Sequence, residues 1–168
     1  RAGRDDGCPG PPAQAMFPLR DSTPSFARPL AVWLLIAVNL AVFLLQSSLG
    51  PEALEQALYL HGVVPARYTD PAWAAEVGFP ASAGLAPFLS SQFLHGDLLH
   101  LLGNLWTLWI FGDNVEERLG SRRFLVFYLV CGAAAALVHV AVNPDSTVPA
   151  IGASGAISGL MGAYLVLF

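Results

Sequence analysis

The chain contains no lysine, only two cysteines and few charged residues of any kind. Charged side chains make up 12% of its 168 residues, whereas soluble domains carry about 25%. Two cysteines do not make a disulfide framework, and a net charge of −4 without a basic run gives no basis for nucleic-acid binding. Because 55% of the residues are hydrophobic, the composition predicts that the solvent of this protein is a lipid bilayer.

Four apolar segments stand out, at about residues 30–48, 93–111, 124–142 and 153–168. A membrane-spanning helix needs about 20 residues, so the sequence predicts an all-α, multi-pass transmembrane bundle with about four spans in this chain. The last segment is still apolar where the chain stops, and we therefore expect a C-terminally truncated membrane domain over residues 29–168.

The first 28 residues are rich in Pro, Gly, Asp and Ser and lack the apolar core of a signal peptide. We predict that residues 1–28 form a disordered cytoplasmic tail. The first methionine is Met16, and a hypothesis that follows is that residues 1–15 lie upstream of the true start.

Arginines alternate between the two sides of the predicted spans. Four precede the first span, one lies in the first connection, three in the second and none in the third. Positive residues favour the cytoplasmic side, so we predict that the N-terminus is cytoplasmic and that the first and third connections face outside. The first connection, residues 49–92, is long enough to suggest a function, and amphipathic stretches are expected around residues 52–60 and 88–94.

The motif Gly-Ala-Ser-Gly at residues 152–155 opens the fourth segment and places Ser154 at the mouth of a helix. The first N–H groups of a helix are unpaired and carry the positive end of its dipole, so they would stabilise an oxyanion that develops beside the serine. The motif alone equally fits an N-cap followed by small residues that pack helices, and taken alone it favours that structural interpretation.

Two polar residues of the second span change that balance. His100 and Asn104 are four positions apart, so a helix places them about 40° apart on one face. Intramembrane polar groups usually face a protein interior or a water cavity. They could bond a neighbouring helix, or they could donate hydrogen bonds to an oxyanion at Ser154. Their position near the outer end of the span, at the depth of Ser154, favours the second role.

Two other uses of these residue types are less well supported. His95 and His100 are five positions apart, about 140° around a helix, and the sequence has neither an H-E-x-x-H motif nor paired cysteines. We therefore predict no metal and no cofactor. Ser158 is one turn past Ser154 and lacks the terminal N–H groups, so we interpret it as a packing residue. We interpret His139, near the end of the third span, as a packing or interface residue and not as a metal ligand.

These motifs resemble the rhomboid family of intramembrane serine proteases, closest to its bacterial type. The resemblance covers residues 16–168 and is carried by three stretches, at residues 95–104, 112–120 and 152–155. It implies a six-span helical core that works in the bacterial inner membrane, a plasma membrane. The substrates that it implies are transmembrane proteins.

The resemblance also implies residue roles. Ser154 matches the nucleophile of a Ser/His dyad, and His100 and Asn104 match the side chains that bind the oxyanion. His95 and Glu116 match structural positions. The catalytic histidine of the family lies on the sixth span, beyond this chain, so we expect this chain by itself to be inactive although it comes from an enzyme.

Two alternatives remain open at this point. A non-catalytic relative would bind and escort membrane proteins without cleaving them, and a small transporter or channel would use the polar face of the second span. The first usually lacks the serine or the histidine of the dyad, and the second predicts solute flux without covalent labelling of a serine.

Overall fold

The computed structural model describes residues 28–79 and 84–168, so nearly all of the predicted tail lies outside the described residues. The described residues form α-helices, one 3₁₀ turn and one isolated β-bridge, which confirms the all-α prediction. The elements in chain order are α1 Leu30–Ser47, α2 Pro51–His61, α3 Ala66–Thr69, α4 Pro71–Glu76, α5 Ala86–Ser90, the 3₁₀ turn Ser91–Phe93, α6 Leu98–Leu119, α7 Ser121–Val142 and α8 Ser154–Leu167.

Two helices, α1 and α7, are long and apolar enough to cross a membrane by length and composition. Helix α8 is apolar but has 14 residues, and α6 has 22 residues with charged groups in its last turns. Large apolar side chains are exposed along these helices, as expected where lipid is the solvent, for example Leu44, Val126, Val138 and Leu165.

Helix α6 differs in its bounds from the predicted second span. The sequence predicted about residues 93–111, but the helix begins at Leu98 and ends at Leu119. Asp97 is its N-cap, because the Asp97 carboxylate accepts a 2.8 Å hydrogen bond from the His100 N–H group. Gly120 ends the helix with a φ of +78°, a left-handed conformation that glycine adopts without strain. The apolar content of the sequence did not predict the two ends of α6, because capping residues determine where this helix begins and ends.

Helix α8 packs between α6 and α7 through small residues. A Cβ atom on Gly155 would lie 2.6 Å from the Ala135 Cβ, and a Cβ atom on Gly159 would lie 2.5 Å from the Cys131 Sγ. These distances are too short for larger side chains, so the glycines allow α8 to approach α7 closely. The approach places the start of α8 beside the polar face of α6.

Glu116, near the end of α6, is a buried carboxylate that joins three helices. It is 3% exposed, and its two oxygens accept 2.9 Å hydrogen bonds from the N–H groups of Ala31 and Val32. The Ser121 hydroxyl donates to the same carboxylate. The charge therefore satisfies the unpaired amides and the positive dipole end of α1 and also holds the start of α7.

We expect Glu116→Ala to destabilise the fold strongly. The substitution removes three charge-assisted hydrogen bonds and leaves two buried N–H groups of α1 without an acceptor, which costs about 3 kcal/mol. Thermal unfolding in detergent measures the loss. Glu55→Ala, at an exposed position of α2, is the matched control, and equal stability of the two variants would contradict this role of Glu116.

The first and third connections meet at one end of the helices. Val63 and Ala150 form an antiparallel bridge with N···O distances of 3.0 and 2.8 Å, and the Thr69 hydroxyl donates to the Pro144 carbonyl at 2.6 Å. The two connections that the arginine pattern predicts on one side of the membrane do lie together. The predicted amphipathic stretches correspond to α2 and to α5 with the 3₁₀ turn.

Candidate active site

Ser154 is the first residue of α8, as the motif at residues 152–155 predicted. Its side chain is exposed, and the first N–H groups of the helix have no carbonyl acceptor within α8. Gly152, two residues earlier, has a φ of +114°, and its N–H group donates a 2.8 Å hydrogen bond to the Ser91 carbonyl. The turn ahead of Ser154 is therefore fixed to the segment that leads into α6.

His100 and Asn104 both lie against this turn. A Cβ atom on Gly152 would lie 2.6 Å from the His100 Nε2 and 3.8 Å from the Asn104 Nδ2. The two side chains that share one face of α6 are thus brought to the loop that immediately precedes Ser154. Glycine at position 152 is needed for its backbone conformation and for the space that the His100 ring occupies.

The Asn104 side chain is paired with His95. The Asn104 Nδ2 lies 3.0 Å from the His95 Nε2, and both residues are buried. Gln46 of α1 holds the backbone of His95 from both sides, since its amide donates to the His95 carbonyl and accepts from the His95 N–H group, each at 3.1 Å. The sequence did not reveal the pairing because it depends on a loop conformation ahead of α6.

His95 lies in the turn before α6, outside the long helices, and it is held in its neutral form. Burial and, to a smaller extent, the nearby His100 lower its pKa to about 4, while the Phe93 backbone and Asp97 act in the opposite direction. The His95 and His100 rings meet edge to face with centroids 5.1 Å apart.

A cavity of about 230 Å³ adjoins Ser154. Its lining includes Gln92, Gly132, His139, Gly152 and Gly155. At about 30 Å³ for each water, the cavity has room for several waters. His139, which we interpreted as a packing residue, contributes an imidazole to this lining.

Gln92 is a polar residue of this cavity that none of the sequence motifs included. Its amide nitrogen donates to the Phe88 carbonyl at 2.9 Å and to the Leu129 carbonyl at 3.1 Å. Gly132 leaves the space that the Gln92 amide fills. A glutamine inside an apolar run, three positions before His95, was the available signal.

Ser158, which we interpreted as a packing residue, lies on the exposed side of α8 among the described residues. Its side chain is exposed, and its hydroxyl donates a 2.8 Å hydrogen bond to the Ser154 carbonyl. A serine on the exposed side of a helix often returns its hydroxyl to the carbonyl one turn back. In the part of the chain that the structure describes, no three His, Cys, Asp or Glu side chains are grouped closely enough to hold a metal ion.

Comparison with known proteins identifies the family. The Rhomboid domain model matches residues 83–168, about half of the chain, and this region includes Ser154, His100 and Asn104. The chain belongs to the rhomboid family. Its rhomboid domain match runs from the segment before α5 to the end of α8, so the helix contacts at Gly152 lie within it.

Several rhomboid relatives are similar to this chain. "Rhomboid protease GluP" of Bacillus subtilis is 31% identical over 82% of this chain and 24% of its own length. "Rhomboid-like protein 11, chloroplastic" of Arabidopsis thaliana is 30% identical over 88% of this chain and 46% of its own. The human "Presenilin-associated rhomboid-like protein, mitochondrial" is 36% identical over 50% of this chain and 23% of its own length. The chain spans less than half the length of each of these rhomboid relatives.

Proposed function

We propose that this chain is part of an intramembrane serine endopeptidase that cleaves transmembrane segments of membrane proteins. Ser154 is the nucleophile, and His100 and Asn104 donate hydrogen bonds to the oxyanion together with the Ser154 N–H group. The observation that carries the proposal is the approach of both α6 side chains to Gly152, two residues before a serine that opens a helix.

The chemistry requires a base that takes the Ser154 proton. We propose that a histidine on a later span of the full-length protein supplies it. The Ser154 Oγ then attacks the scissile carbonyl, the C–N bond breaks, and the amine leaves with the proton from the base. Water subsequently gives a proton to the base and attacks the acyl-enzyme ester. The C–Oγ bond breaks, the carboxylic acid leaves, and the base returns the proton to the Ser154 Oγ. Donors fixed in position before the reaction stabilise the negative oxygen of both tetrahedral intermediates.

The cavity beside Ser154 supports a hydrolytic role because a protease inside a bilayer must supply water to its acyl-enzyme. The arginine pattern supports a cytoplasmic N-terminus and, with it, a position of Ser154 near the opposite face. We propose that the protein works in a bacterial inner membrane in this orientation and uses no cofactor and no metal.

Covalent labelling of the full-length protein tests the proposal. A fluorophosphonate probe reacts with activated serines, and we expect peptide mapping to locate its adduct on Ser154. Ser154→Ala should lose the label, whereas Ser158→Ala, one turn away on the same helix, should keep it.

Two outcomes would overturn the proposed function. One is an adduct on Ser154→Ala equal to that on the unmodified protein, and the other is a folded full-length protein without any adduct. If that protein still captured membrane proteins, the non-catalytic alternative would be favoured. Solute flux without labelling would favour the transporter.

A further inference from the structure

We propose that His95 is a positioning residue, which fixes the direction of the Asn104 amide so that one of its N–H bonds is available to the oxyanion. This role deepens the proposed function of Ser154 and rests on it. His95 does not contact the reacting atoms in this scheme and acts only through Asn104.

The pairing constrains the protonation of His95. An amide nitrogen can only donate, so a contact of 3.0 Å between the Asn104 Nδ2 and the His95 Nε2 requires a lone pair on Nε2. The ring proton then resides on Nδ1, a buried atom without a hydrogen-bond partner among the described residues. Of the two hydrogens on the Asn104 Nδ2, one is bound by His95 and the other remains free to donate.

The free hydrogen belongs to a group that lies beside the turn of Ser154. The Asn104 Nδ2 is 3.8 Å from the position that a Cβ atom would take on Gly152. The opposite tautomer, with the proton on the His95 Nε2, would pair with the Asn104 oxygen after a flip of the amide. After that flip, the Asn104 NH₂ group would no longer occupy its present place beside Gly152. The tautomer of His95 therefore decides whether Asn104 presents a hydrogen-bond donor or an acceptor to the turn of Ser154.

The surroundings of His95 keep its ring neutral, so that one ring nitrogen remains an acceptor. The ring is 2% exposed, and the two hydrogen bonds from Gln46 hold its backbone in place. The charged groups that act on it are His100, which disfavours an imidazolium, and Asp97, which favours one. Burial outweighs Asp97, so His95 stays neutral at neutral pH and keeps the acceptor that an imidazolium would lack.

Kinetics of the full-length protein on a transmembrane substrate test the role. His95→Leu removes the acceptor, and we expect kcat to fall by about 10- to 100-fold with KM unchanged, less than the roughly 10²–10³-fold loss on removing an oxyanion donor. His95→Gln offers an amide oxygen as acceptor and should retain most of the activity. Thermal unfolding of both variants separates this effect from a loss of fold.

A double-mutant cycle provides the decisive comparison. Because His95 acts through Asn104, His95→Leu should cause no further loss of kcat in the Asn104→Ala background. Full additivity of the two losses would overturn the proposal, since it would show that His95 acts on the fold or on another group. Equal activity of His95→Leu and the unmodified protein would overturn it as well.

A measurement without catalysis distinguishes failure of this role from failure of the proposed function. In full-length Ser154→Ala protein with ¹⁵N-labelled histidine, His95 is assigned by comparison with His95→Gln. We expect the neutral Nδ1–H tautomer at pH 7 and still at pH 5, where a histidine in water is mostly protonated. An Nε2–H tautomer or an imidazolium would overturn the proposal even if Ser154 proved to be the nucleophile. If Ser154 proved inert but His95 showed the Nδ1–H tautomer, the hydrogen bond between His95 and Asn104 would stand. Only the catalytic role of that bond would then be refuted.

Discussion

Replacement of Ser154 by alanine is expected to lower the rate of cleavage by the full-length protein by about 10⁵-fold or more, the scale seen when a serine protease loses its nucleophile. The variant should fold normally, because the Ser154 side chain is exposed and no core contact depends on it. Cleavage of a purified transmembrane substrate in liposomes, together with thermal unfolding, measures both quantities.

Ser158→Ala is the matched control for this prediction. It removes a hydroxyl from the same helix, one turn away, and with it only a hydrogen bond to the Ser154 carbonyl. We expect a change in rate of less than about tenfold, because one neutral hydrogen bond contributes about 1 kcal/mol. A protein that keeps its activity without the Ser154 hydroxyl would refute the assigned nucleophile.

Gly152→Ala is expected to produce the second large effect, a loss of activity of about 10²–10³-fold. The added Cβ atom would lie 2.6 Å from the His100 ring, so the ring must move away from the site. An alanine is also strained at a φ of +114°. Since His100 is an oxyanion donor in the proposed mechanism, its displacement should cost about as much as its removal.

Gly162→Ala provides the control for that substitution. Gly162 also lies in α8, but a Cβ atom there would meet no atom of the described residues within 4 Å. Alanine favours a helix over glycine by about 1 kcal/mol, so this variant should be fully active and as stable or slightly more stable. Normal activity of Gly152→Ala would show that His100 does not need its observed position.

The sequence predicted the elements that depend on local pattern. Apolar runs located the long helices, the small-residue motif located the start of α8 at Ser154, and a spacing of four placed His100 and Asn104 on one face of α6. Each of these inferences uses residues within a few turns of one another, where helical geometry is regular. The same reasoning failed at the ends of α6, which Asp97 and Gly120 determine by capping.

The contacts that assemble the site could not be predicted in this way. The bond from Gln46 to the backbone of His95 joins positions 49 apart, and the bond from Ala31 to Glu116 joins positions 85 apart. No periodicity in the sequence encodes such a separation, because it depends on which helices become neighbours. The resemblance to rhomboids assigned His95 and Glu116 structural roles but did not specify their partners.

The bridge between Val63 and Ala150 has a mechanical consequence for access to Ser154. It makes the first and third connections one unit, because main-chain hydrogen bonds join them just ahead of Gly152. A polypeptide that entered by pushing the first connection aside would pull on the backbone two residues before Gly152. In the proposed mechanism, entry of a polypeptide and alignment of the oxyanion donors are therefore linked through the backbone itself.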